Sequence, residues 1–199
     1  MKTPVKVGDM NQQFRVIFKQ NFVDNGIMVT VISGTNRKGS MTLQVALLCA
    51  KILKEKGEEV KVLDLFDLPH DFVFSALYGN KNAAFDSILD EYIYAADKLV
   101  VLSPEYNGGF SGVLKAFIDG WNPRMLRNQK IALVGVASGR SGNLRGLDYM
   151  TNVFHYLRLH VYPDKVPVSA VHTLGSDEGI HDASTKKVLD NMLSGFVAY

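Results

Sequence analysis

From residue 27 onward, short apolar runs and amphipathic stretches take turns along this chain. That alternation constrains the fold more than any single residue. Ile27-Met28-Val29-Thr30-Val31-Ile32 is continuous and rich in β-branched residues, so it reads as a strand buried on both faces. Leu99 to Leu102 and Lys130 to Ala137 read the same way. In Thr42–Lys56, Leu43, Ala46, Leu47, Ala50 and Leu53 recur at helical spacing, with Lys51, Lys54, Glu55 and Lys56 on the other face. Gly57 supplies a stop signal. Further helices are expected at 83–96, 112–121, 144–157 and 183–198. Glu59 to Leu65 alternates and reads as a strand near a sheet edge. His160 to Pro163 and Val166 to Val168 read as a broken final strand whose prolines suit an edge. Five strands alternating with helices predict an α/β, three-layer sandwich: a five-stranded parallel sheet with helices on both faces. The count of units and the placement of loops favour the strand order 2-1-3-4-5.

The chain has 199 residues with 47% hydrophobic content, enough for one domain with a substantial core. A formal net charge of +2 makes no general case for nucleic acid or an anionic membrane surface. The absence of an 18-residue apolar run predicts no membrane-spanning helix. Cys49 is the single cysteine, so no intrachain disulfide or cysteine cluster can form. That suits a reducing, cytoplasmic setting. Residues 1–26 differ in texture: Lys2, Lys6, Arg15 and Lys19 mix with Asn11, Gln12, Gln13, Gln20 and Asn21. They lack the continuous apolar centre of a secretory signal. They read as an N-terminal extension to a domain at 27–199. A packing arm in an oligomer, or an over-long start before Met28, are the other readings.

Three loops carry the chemistry. The first, Ser33-Gly34-Thr35-Asn36-Arg37-Lys38-Gly39-Ser40-Met41-Thr42, joins the first strand to its helix. Gly34 and Gly39 permit close backbone approach and positive φ. Thr35, Ser40 and Thr42 bring hydroxyls, and Arg37 a planar fork of donors. With a helix N-terminus behind them, these groups suit a phosphate. The glycine spacing imitates a nucleotide-triphosphate loop, but Ser40 and Met41 stand where that loop needs Lys and Ser or Thr. The GxGxxG dinucleotide fingerprint is also absent.

The second loop is Ser103-Pro104-Glu105-Tyr106-Asn107-Gly108-Gly109, between a buried strand and a helix. It lies at the sheet's carboxyl edge, where open α/β sheets bind ligands. Pro104 stiffens the turn, Gly108 and Gly109 leave room for a ring system, and Tyr106 is placed to stack on a ligand or to pack against a helix. Glu105 raises the possibility of a pairing across a subunit interface. The third loop, Ser138-Gly139-Arg140-Ser141-Gly142-Asn143, follows the fourth strand; it reads either as a simple turn or as contact with the far edge of the same ligand.

Together the three loops resemble those of the NADPH-dependent FMN reductase family, over roughly Met28 to Val168. The most specific match is Pro104-Glu105-Tyr106-Asn107-Gly108-Gly109 followed by Gly112-Val113-Leu114-Lys115-Ala116 and Ile118-Asp119. The resemblance implies a flavodoxin-like fold, bound FMN, NADPH or NADH as co-substrate, and assembly as a homodimer or homotetramer. It implies that Thr35, Arg37, Ser40 and Thr42, with Met41 among them, hold the FMN phosphate. Pro104, Glu105, Tyr106, Asn107 and Gly108 would line the isoalloxazine. Ser138, Gly139, Arg140 and Gly142 would close around its pyrimidine side. Thr35 stands where the family often has Ser, and Thr42 where it often has Asn.

The implied reaction passes hydride from NAD(P)H through FMN to a flavin, quinone, azo or similar small-molecule acceptor, with ping-pong kinetics. The flavin carries such chemistry, so no protein acid, base or nucleophile is expected. Cys49 reads as a small buried side chain. The five histidines show no HExxH spacing, so no metal site is expected. Trp121 reads as either core or interface. Two other functions compete. Flavodoxin-type electron carriers are usually acidic, and a pI near 8.5 counts against that reading. A flavin-binding subunit without useful turnover is the other.

Overall fold

The structure, a computed structural model, describes residues 27–126, 128–176 and 178–199. The expectations for 1–26 lie outside the described residues.

The alternation seen in the sequence becomes the element order. Strand β1 (Met28–Ser33) leads into α1 (Met41–Glu55), and β2 (Glu59–Asp64) follows. A short helix α2 (Phe72–Ser75) precedes α3 (Ala83–Ile88). Next come β3 (Lys98–Pro104), α4 (Gly112–Asp119), β4 (Lys130–Val136) and α5 (Leu144–Tyr156). Strands β5 (His160–Val161) and β6 (Val166–Val168) precede a small hairpin of β7 (Gly175–Ser176) and β8 (Gly179–Ile180). Helix α6 (Ala183–Ala198) completes the described fold.

The main sheet is parallel in the order β2-β1-β3-β4-β5, as expected. Its last position is shared: β5 pairs with Lys130 and Ile131, and β6 pairs with Val134 to Val136 further along β4. The edge tolerates the donors that Pro163 and Pro167 lack. The helix expected at 83–96 is not one regular rod. It widens into a π-helical stretch at Leu89–Tyr94, where Ala95 N–H reaches the Asp90 carbonyl.

Alternate strand residues feed two cores. Val100 and Leu102 meet α1 and α6 through Val45, Cys49, Leu53, Leu193 and Phe196. Leu99 and Val101 face the other layer, with Phe85, Phe117, Trp121 and Phe154. There, Phe72, Phe85, Phe117, Trp121 and Phe154 form a continuous aromatic chain with ring centroids 5.3–6.0 Å apart. Trp121 is therefore a core residue, 3% exposed. Cys49 is fully buried, and desolvation pushes its thiol up to about 12, which leaves it unreactive.

At the amino edge of the sheet, Lys98 is nearly buried. Its ammonium donates to the carbonyls of Phe196 and Val197 at 2.9 and 2.7 Å. Lys130 does the same for Tyr199. Two strand lysines thus complete the last carbonyls of α6, where helix geometry leaves acceptors free and a positive charge is favoured.

Candidate active site

The three loops meet at the opposite, carboxyl edge. They do so because polar contacts tie each to the next. Gly34 N–H donates to the Leu102 carbonyl at 2.8 Å, and Ser111 Oγ donates to the Gly34 carbonyl. A Cβ on Gly34 would stand 2.4 Å from the Leu102 oxygen, so only glycine fits this crossing. Ser111 N–H reaches Ser103 Oγ at 3.3 Å, and Asn143 Nδ2 donates to the Ser103 carbonyl at 3.0 Å. Ser141 Oγ donates to Glu105 Oε2 at 2.9 Å, so the Glu105 carboxylate joins two loops of one chain.

The first loop is shaped for an anion. Ser40 caps α1: its hydroxyl oxygen accepts from Leu43 N–H at 3.1 Å, which leaves its own proton free to donate. Met41 and Thr42 begin the helix, so their N–H groups have no partner within it. Gly39 takes φ +64°, turning the chain toward the helix start. Arg37 is exposed beside these donors.

The second loop is a two-residue turn. Tyr106 N–H bonds the Gly109 carbonyl at 2.9 Å, and Gly109 N–H returns to Tyr106 at 3.1 Å. Asn107 and Gly108 between them have φ of +52° and +78°. Both central residues are left-handed, the geometry that an Asn-Gly pair accepts at least cost. Tyr106 Oη lies 2.9 Å from the buried Thr35 Oγ1, which fixes the ring against the first loop.

These walls enclose a cavity of about 250 Å³. Eight of the residues expected from the sequence line it: Arg37, Ser40, Met41, Thr42, Pro104, Glu105, Tyr106 and Ser138. Thr35 stands behind Tyr106, fully buried. Asn107, Gly108, Gly139, Arg140 and Gly142 do not line the cavity. Gly142 is packed under Pro167, which a Cβ would approach to 2.5 Å. Gly139 and Arg140 use their carbonyls to accept from Ala170 N–H and Ser169 Oγ.

Four lining residues escaped the sequence reading as ligand contacts: Val136, Ala137, Val171 and His172. His172 Nε2 lies 3.0 Å from Ser138 Oγ. It follows the last strand of the sheet, and no spacing in the sequence links it to the third loop. A wider groove of about 640 Å³ lies between α1 and α6. Its charges are mixed, Lys51 and Lys187 against Glu55 and Asp190, and it is built from the flanks of α1 and α6 and the Glu178–His181 segment. The smaller cavity combines a helix start, positive-φ turns and convergent donors, and is the better ligand site.

The donor set fits FMN. Arg37, the Ser40 proton and the first N–H groups of α1 suit a phosphate, and the Tyr106–Gly109 turn offers a flat wall beside it. Among the described residues, no helix is long and apolar enough to cross a membrane.

Comparison with known proteins points the same way. The chain is 29% identical over 165 residues to an NADPH azoreductase from Bacillus sp. (strain OY1-2), covering 77% of this chain and 86% of that protein. It is 28% identical over 181 residues to a probable NADPH:quinone oxidoreductase 2 from Oryza sativa subsp. japonica, covering 87% and 88%. The fold is similar to that of FerB, a flavoenzyme NAD(P)H:(acceptor) oxidoreductase from Paracoccus denitrificans. That likeness has a TM-score of 0.70 at 22% identity and covers 87% of this chain and 96% of that one. The sequence pattern of the NADPH-dependent FMN reductases matches residues 27–173. With its sheet order, its phosphate-shaped first loop and its Asn-Gly turn in place, the chain belongs to the NADPH-dependent FMN reductase family, flavin-dependent oxidoreductases that work with FMN and NAD(P)H.

Proposed function

We propose that this protein reduces a small quinone, azo or flavin acceptor with NAD(P)H, using FMN seated across the three loops. The observation that carries the reading is the cavity itself. One wall is a phosphate-type loop, and the other is a rigid turn held to it by the Thr35–Tyr106 bond. Arg37, Ser40 and Thr42 hold the phosphate. The backbone of Pro104 to Tyr106 orients the ring, with the Glu105–Ser141 bond keeping that loop in register with the third. Bound FMN supplies the hydride chemistry; these side chains position it and move no proton. Exposed Tyr149 and Tyr156, seven residues apart on one face of α5, support the homodimer or homotetramer reading. A cytoplasmic setting, where NAD(P)H is at hand, belongs to the same reading.

The test is direct. Purified protein is loaded with FMN, its absorbance spectrum recorded, and NADPH and NADH oxidation followed with a quinone, an azo dye and free flavin. Turnover with at least one acceptor is expected; none with any would refute the reading. Arg37→Ala combined with Ser40→Ala should weaken FMN at least ~10-fold and riboflavin by less than about twofold. Equal losses for both flavins would remove these residues from the phosphate site.

A further inference from the structure

Helix α1 carries more apolar surface than the described residues around it cover. Val45-Ala46-Leu47-Leu48-Cys49-Ala50 is an unbroken apolar run, and six residues pass more than once around a helix. Val45, Ala46, Cys49 and Ala50 go into the core shared with the sheet and α6. Leu47 is left 46% exposed on an outer ridge, one and two turns before Lys51 and Glu55. Hollows flank that ridge on both sides: the groove of about 640 Å³ toward α6, and a second of about 390 Å³ toward Val62 of β2. Leu47, Lys51 and Glu55 line both. Around the larger groove Lys51, Lys186 and Lys187 offset Glu55, Glu178 and Asp190, so it offers no net field to a charged ligand. What it does offer is the apolar surface of Leu47, Leu48, Ile52 and Ile180.

We propose that residues 14–23 of this chain lie along α1 in that groove, as an amphipathic helix docked on its own subunit. Phe14, Ile17, Phe18 and Phe22 recur at spacings of three and four, which makes one apolar stripe on a helix; Arg15, Lys19 and Gln20 fall outside it. The lengths match. Residues 14–23 make about 15 Å of helix, and α1 lines the groove from Gln44 to Glu55, about 16 Å. The point of attachment matches too. Ile27, the first described residue, packs on the α1–α6 core and not on the opposite layer. Met28 pairs with Glu59, four residues after α1 ends at Glu55, so Ile27 enters beside the C-terminal end of α1. Asp24, Asn25 and Gly26 span up to about 10 Å, enough to bring the chain back over that end. Asn25-Gly26 is also a pair suited to a tight turn. Docked there, the stripe covers Leu47 and excludes water from the groove.

The experiment follows maleimide labelling of the full chain. Cys49 is fully buried, so an engineered cysteine reports alone, and labelling of Cys49 itself reveals unfolding. Leu47→Cys is expected to label at least ~10-fold more slowly than Phe74→Cys, which stands 85% exposed on α2 of the opposite layer. Adding Phe14→Asp and Phe18→Asp should speed Leu47→Cys ~10-fold and leave Phe74→Cys within about twofold. Should the aspartates expose Cys49, a second variant decides without them. Ile17→Cys with Leu47→Cys, oxidised by diamide, should close a disulfide within one chain, and Ile17→Cys with Phe74→Cys should not. Fast labelling of Leu47→Cys in the full chain, or failure of the first pair to close, would overturn the inference. So would a disulfide that joins two chains, or a protection that fades on dilution, since either puts a second copy in the groove. The groove lies on the flank of the sandwich, so neither result bears on the FMN reading.

Discussion

The two ends of one sheet handle the same physical problem in opposite ways. At both, helix termini present free backbone groups beside side chains able to satisfy them. At the amino end the match is closed. Lys98 and Lys130 reach from β3 and β4 to the last carbonyls of α6, and Lys98 also sits 5.3 Å from the Phe196 ring centre. At the carboxyl end the first N–H groups of α1, the Ser40 proton and Arg37 converge on open space. That end also carries costs. Asn107, Gly108 and Asn143 are left-handed, and buried Asn143 Oδ1 has no hydrogen-bond partner among the described residues. The amino end carries such departures too, at left-handed Asn128 and Arg158 and at unpartnered Glu58 Oε2 and Gln129 Oε1, so what separates the two ends is the open donor set.

Four substitutions test that contrast, in falling order of effect. Gly34→Ala should be the most damaging, on the order of 3 kcal/mol in urea unfolding, because its Cβ meets a carbonyl and not a mobile side chain. A loss below about 0.5 kcal/mol would deny the tight crossing between the first two loops. Lys98→Met should cost ~2 kcal/mol and leave FMN affinity unchanged, since it removes a cap at the far end of the sheet. Burial, then Lys130, holds the Lys98 ammonium below the ordinary lysine value. The folded state thus gives up this proton before the unfolded chain does. Its contribution to stability therefore rises with pH between that lowered value and the ordinary one. The variant should lack this alkaline gain; an identical pH profile would contradict the burial.

Tyr106→Phe should cost about 1 kcal/mol by cutting the bond to Thr35, and should weaken flavin binding by loosening the wall. Full retention of both properties would mean that the ring packs without that bond. Asp64→Asn should give the smallest change. Burial raises the Asp64 carboxyl against the lowering effects of the Phe66 N–H bond and the Ser33 hydroxyl, and Asp67 adds slightly to the rise. A raised acid favours the folded state most when protonated, so its cost grows as pH rises from the unfolded value and is complete above the folded one. The variant should be slightly more stable at pH 7, with the gain fading as the solution is acidified. A loss at pH 7 would show the charge to be favourable where it stands.

Much of this was legible beforehand, for reasons that residues make plain. β1, β3 and β4 announced themselves as continuous apolar runs because a strand covered on both faces leaves no polar side to mark. The ends of α6 fell as expected because Asp182 caps its start, accepting from Thr185 N–H at 2.6 Å. The β2 edge position followed from its alternation. The wide turn at Leu89–Tyr94 did not, since Phe85, Leu89 and Ile93 keep a spacing that a plain helix also satisfies. The division of the last strand was visible as a break at Pro163, but its two registers on β4 were not. Among the expected site residues, those on the first loop were the easiest, because glycines, hydroxyls and a helix start lie together in sequence. Gly142 has the composition of a ligand contact and the position of a packing residue.

What the sequence determined by itself was the order of elements, the two-faced burial of the sheet and the three loops at its carboxyl edge. These depend on local periodicity and on residues whose backbone preferences act where they stand. What only the tertiary structure decided was which side chains meet. Thr35 finds Tyr106 across 71 positions of chain, Ser141 finds Glu105 across 36, and His172 finds Ser138 across 34. No local preference encodes such pairs. They arise because the parallel crossovers bring every strand's carboxyl end to one edge, and packing then sets distances that no reading along the chain contains.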